Sequence, residues 1–65
     1  MARAMLTYTK EILEKVSFDS NLFFRELNKA LNMLLPHEIE ELYFYVVQMA
    51  TVNPQLRSSL YLFQS

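Results

Sequence analysis

One histidine, a short run of glutamates and four of the five serines are the candidates of this chain for chemistry. A histidine acts as a general base only beside a nucleophile or a substrate pocket. His37 follows Pro36 directly, in what reads as the first turn of a helix, and that position suits a solvated helix end. Glu38, Glu40 and Glu41 crowd the same turn. Carboxylates three apart share a helix side and can offer oxygen ligands to a hard cation. No complementary ligand set accompanies them, and acidic residues at a helix N-terminus are already favoured by the helix dipole. Neither Glu-x-x-His nor His-x-x-x-His occurs, so the metal sites that helical bundles build from such pairs are not indicated. Ser17 and Ser20 flank Phe18-Asp19 and read as turn and cap residues, and Ser58 and Ser59 have no partners spaced for a triad. With no glycine anywhere, a glycine-rich phosphate loop is impossible. No catalytic residue, cofactor, metal or small-molecule substrate is therefore expected, and the chain reads as non-enzymatic.

Composition narrows the remaining classes. The 65 residues are 52% apolar, with five Phe, four Tyr and no Cys. A monomer of this size buries only about 60% of its unfolded surface and often needs a disulfide, a metal or a partner. The lack of cysteine removes disulfides and thiolate metal sites, which leaves association as the available stabiliser. The formal net charge is -1, which is no footprint for nucleic acid and sets up little repulsion between copies. The longest apolar run, Leu42 to Val47, is six residues, against the roughly 20 that span a bilayer. The opening residues Met1-Ala2-Arg3-Ala4-Met5-Leu6 hold no run long enough for a signal-peptide core. A cytoplasmic chain with no transmembrane segment is the expectation.

The elements follow from caps and periodicity. One helical domain over residues 1–65 is expected. Thr7 suits the N-cap of a first helix over Tyr8 to Val16, with Tyr8, Ile12, Leu13 and Val16 on its inner face and an ion pair between Glu11 and Lys15. Asp19 is the strongest N-cap in the chain, and Phe18 and Phe23 stand at the two positions of a hydrophobic staple. The second helix then runs from Ser20 to Leu34, with Phe23, Leu27, Ala30, Leu31 and Leu34 at core spacing. Pro36 opens a third helix reaching Met49 or Ala50, with Ile39, Leu42, Tyr43, Val46, Met49 and Ala50 inward. The short link allows an antiparallel hairpin or a sharp corner, and a tight hairpin of the second and third helices through Pro36 is expected. Asn53-Pro54 repeats the start signal for a short C-terminal helix with Leu56, Leu60 and Phe63 on one face.

Some apolar residues lie off these inner faces. Leu22, Phe24, Met33, Phe44 and Tyr45 sit on the shoulders of the second and third helices, where a single small bundle does not need them. Large rings concentrate at interface centres. These five are the interface candidates. The expected function is a protein-protein interaction module, structural or regulatory, acting as a homo-oligomer, with a dimer favoured because closed twofold assemblies are commonest. The alternative is a small DNA- or RNA-binding regulator, since Arg25, Asn28, Lys29 and Asn32 line the outer face of the second helix and such side chains can read base edges.

Overall fold

Three α-helices and a terminal 3₁₀ helix follow in chain order: α1 (Ala2–Lys15), α2 (Ser20–Leu31), α3 (Pro36–Val52) and the 3₁₀ helix (Pro54–Phe63). The computed structural model describes residues 2–63, with side chains from residue 4 onward. Met1, Gln64 and Ser65, the ends of the expected domain, lie outside the described residues. The small all-α bundle of about four helices read from the sequence is what the chain forms.

Helix boundaries were set by backbone chemistry that the sequence displays. Asp19 adopts an extended conformation and its carboxylate accepts from the backbone N–H of Asn21 at 3.0 Å and of Leu22 at 3.3 Å. This is the N-cap expected of it. Leu35 and Asn53 each precede a proline, whose ring disfavours the helical conformation in the residue before it. Leu35 accordingly sits at φ -75°, ψ 157°, and Asn53 at φ -122°, ψ 88°. Without glycine, the ends of α1 and α2 close by bonds to the carbonyl three residues back. Ser17 N–H donates to Glu14, Asp19 to Val16, and Met33 to Ala30. Among the described residues none has a positive φ.

The packed pairs are α1 with α2, α1 with α3, and the 3₁₀ helix with both α2 and α3. Helices α2 and α3 are consecutive but are not among the close-packed pairs. The expected hairpin is therefore corrected to a corner. Leu34-Leu35-Pro36 turns the chain, and α1 and the 3₁₀ helix fill the two sides between α2 and α3. The core is Leu6 and Leu13 from α1, Phe23, Leu27 and Ala30 from α2, Leu34 at the corner, Leu42, Val46 and Ala50 from α3, and Leu56 from the 3₁₀ helix. Each fully buried leucine or phenylalanine contributes about 1.5–3 kcal/mol relative to exposure. Cutting one of the leucines to alanine costs about 2–5 kcal/mol, a large share of the roughly 3–10 kcal/mol that 65 residues command. The radius of gyration is 10.6 Å, close to the about 10.7 Å of a compact chain this long.

Several expectations change on contact with this packing. Helix α1 begins at Ala2 rather than Tyr8, so Thr7 is an exposed helical residue and not a cap. The earlier start brings Leu6 into the core and rotates the buried row to Leu6, Thr9 and Leu13, leaving Tyr8 59% exposed. Glu11 and Lys15 do not pair; among the described residues the only ion pair is Lys29 with Glu26 at 3.5 Å. Phe18 is 77% exposed while Phe23 is fully buried, so the expected staple is not closed. Helix α2 ends at Leu31 and α3 extends to Val52.

Two buried polar residues were not legible as core. Glu38 is 2% exposed. Its Oε1 accepts the backbone N–H of Leu35 at 2.8 Å, which is the carboxylate half of a capping box. Leucine has no side-chain acceptor to supply the other half. Glu38 Oε2 has no hydrogen-bond partner among the described residues. Ser59 is 1% exposed, and its hydroxyl donates to the Leu56 carbonyl at 2.5 Å. Its burial follows from the C-terminal geometry. A 3₁₀ helix has three residues per turn, so residues three apart stack in rows. Leu56 and Ser59 are buried and Leu62 half-buried along one such row, while Leu60 and Phe63 fall toward α3. The expected row of Leu56, Leu60 and Phe63 belongs to α-helical spacing. Ten residues is long for this helix type, whose runs rarely exceed 3–4.

Candidate functional site

The most prominent surface feature is the seam between α3 and the 3₁₀ helix. Helix α3 turns its core row (Leu42, Val46, Ala50) inward. Residues displaced by about a third of a turn come to the surface beside the 3₁₀ helix. Two grooves result. One is lined by Pro36, Ile39, Glu40, Tyr43, Phe44, Leu60 and Phe63. The other is lined by Val47, Ala50, Thr51, Pro54, Arg57 and Leu60. Leu60 lines both, so the two grooves adjoin along the seam.

Three aromatic rings organise the first groove. Tyr43 meets Phe44 edge to face, with centroids 5.6 Å apart, and meets Phe63 in the same manner at 5.3 Å. Such pairs contribute about 0.5–1.5 kcal/mol each beyond area burial. Phe44 remains 62% exposed and Tyr43 38% exposed. The lining is largely apolar, and each groove carries one charged residue, Glu40 in the first and Arg57 in the second, both exposed.

The five interface candidates do not converge on one patch. Phe44 lies on the α3 seam. Met33, 59% exposed, lines a separate cleft between α1 and α2 together with Met5, Tyr8 and Ile12. Leu22 and Phe24 are half-buried on α2 and line neither cleft. Tyr45, placed on a shoulder of α3 by its spacing, does not stand free of the bundle. It is half-buried instead and engaged within the bundle: its hydroxyl donates to the Lys10 carbonyl at 3.2 Å, and the Lys10 ammonium lies 5.4 Å from its ring centroid. Burial, and secondarily the charge of Glu14, raises its phenol above the usual tyrosine value. The residues that sequence reasoning missed here are Tyr43, assigned to the core face, and Leu60 and Phe63, assigned to an α-helical row. The available signal was the three-residue spacing of Leu56, Ser59 and Leu62.

On the outer face of α2, Arg25, Asn28, Lys29 and Asn32 are all exposed, as their spacing requires. Lys29 pairs with Glu26. The Asn32 amide donates to the Asn28 carbonyl at 3.0 Å. Two of the four side chains thus satisfy the helix that carries them. His37, Glu40 and Glu41 are exposed, and Glu38 is turned into the core. Among the described residues no three His, Cys, Asp or Glu side chains are grouped to hold a metal ion, and no helix is long and apolar enough to cross a membrane.

The fold and seam define a small all-α bundle with an aromatic cleft along its terminal helix pair. No family model, curated protein or solved structure matches the chain.

Proposed function

We propose that this chain is a non-enzymatic interaction module, structural or regulatory in role, and that it acts as a homodimer. The observation that carries the reading is the ring cluster of Tyr43, Phe44 and Phe63. A bundle of this size already has its core, and these rings pack edge to face beside it with Phe44 largely in solvent. Preorganised aromatics lose little freedom on binding, which is why they anchor interfaces. A net charge of -1 leaves little long-range repulsion against a second copy.

Light scattering across a concentration series tests this. The parent chain is expected at twice the mass of one chain. Phe44→Glu is expected at the mass of one chain with its helical circular dichroism retained, because the side chain lies outside the core. A parent that stays at one-chain mass at every concentration overturns the proposal, as does a Phe44→Glu variant that keeps the parent's mass.

A further inference from the structure

Resting on that reading, we infer that the two copies pair through the α3 seam about a twofold axis perpendicular to it, so that Glu40 of each chain meets Arg57 of the other. The seam has direction. Glu40 lies toward the start of α3, in one groove with Pro36 and Ile39, and Arg57 shares the other groove with Thr51 and Pro54, where α3 finishes. Between them the lining is apolar: Tyr43, Phe44, Val47 and Leu60. Glu40 and Thr51 are eleven positions apart on α3, or about 16 Å at 1.5 Å per residue. That length suits one helix laid against another.

A twofold interface joins a patch to itself, so every contact is made twice. For a patch with an acidic end and a basic end, the placement of the axis decides what meets. An axis running along the seam sets Glu40 against Glu40 and Arg57 against Arg57. An axis perpendicular to the seam sets opposite charges together at both ends, and the two Phe44 rings fall near the middle. Like charges brought together at an interface cost several kcal/mol, whereas opposite ones fix register and orientation. Neither residue is committed elsewhere: among the described residues the only ion pair is Lys29 with Glu26. The seam is thus complementary to an inverted copy of itself, in apolar area and in charge.

Charge reversal tests the register. Glu40→Arg, Arg57→Glu and the double variant are compared with the parent by sedimentation equilibrium at low salt. Glu41→Arg serves as control, because Glu41 is exposed on α3 but lines neither groove. Each single reversal sets like charges together at both ends and is expected to raise the dimer dissociation constant by about tenfold or more. The double variant restores opposite pairing and is expected within about threefold of the parent, and the control likewise. Circular dichroism verifies the fold of each. A dimeric parent whose single reversals leave the constant unchanged, or whose double variant is not rescued, overturns the inverted pairing while leaving self-association standing. A monomeric parent overturns both.

Discussion

Replacing Asp19 with alanine isolates the one cap on which α2 depends. The Asp19 carboxylate accepts two backbone N–H groups, from Asn21 and Leu22. Asn21 is exposed, so its freed N–H is rehydrated, whereas Leu22 is half-buried and its N–H is less readily recovered by water. Loss of a carboxylate cap costs about 0.5–2 kcal/mol, and two donors with one partly shielded place this site near the upper half of that range, at about 1.5 kcal/mol. For a domain this small, 1 kcal/mol corresponds to about 4–8 °C in melting temperature, which gives a fall of roughly 6–12 °C. Asp19→Asn keeps an acceptor and removes only the charge that favours a helix N-terminus, so its loss should stay within about 0.3–1 kcal/mol. Ser20→Ala, one residue into the helix, serves as control. Thermal unfolding followed by far-ultraviolet circular dichroism, at one fixed protein concentration because association raises the midpoint, measures all four proteins. An alanine variant that melts with the parent, or an asparagine variant as damaged as the alanine one, would refute the assignment of α2 stability to this carboxylate.

Two further outcomes follow from groups inside the bundle. The Tyr45 phenol is raised in the folded chain, so the folded state favours its neutral form. The stability this contributes is complete below the ordinary tyrosine value near pH 10 and is lost as pH rises through the higher folded value. Tyr45→Phe should lower stability by about 0.5–1.5 kcal/mol at neutral pH, through the lost bond to the Lys10 carbonyl. It should also flatten the alkaline fall; urea titrations from neutral to strongly alkaline pH check both, and an unchanged alkaline slope counts against the assignment. Glu38→Ala removes the bond to the Leu35 N–H and opens a gap in the core, for a cost of about 1–3 kcal/mol. Glu38→Gln keeps the acceptor and the shape and should lose less, and urea midpoints in which glutamine proves the worse of the two would contradict the capping role.

Local chemistry was legible where the chain has no alternative partner. Asp19 and Pro36 announce helix starts because a free N–H and a missing one have few other solutions, and both starts stand where those residues put them. The α2 core row was legible because Phe23, Leu27 and Ala30 repeat at a single clean period. The start of α1 was not, because Thr7 has the chemistry of a cap, and only the burial of Leu6 in tertiary structure decides that the helix continues before it. Glu38 looks like a solvated first-turn charge until its short bond to Leu35 draws it inward. The seam was half legible. Phe44 stood out by its position on α3, but Leu60 and Phe63 join it only through a three-residue turn that α-helical spacing conceals.

The lack of positive φ among the described residues has a counterpart in the unfolded chain. Glycine is the residue with the most backbone freedom to surrender on folding. A typical sequence of this length carries about 7% of it, or four to five residues. Each such position occupied by a residue with a β-carbon narrows the denatured ensemble by about 0.4–1 kcal/mol, where the native backbone allows it. The glycine-free chain therefore begins its collapse from a restricted ensemble, with roughly 2–5 kcal/mol less conformational entropy cost to meet than an ordinary sequence of its length. For a fold whose buried core holds ten apolar residues among those described, that stiffness of the disordered chain is comparable to the contribution of one or two of the leucines within it.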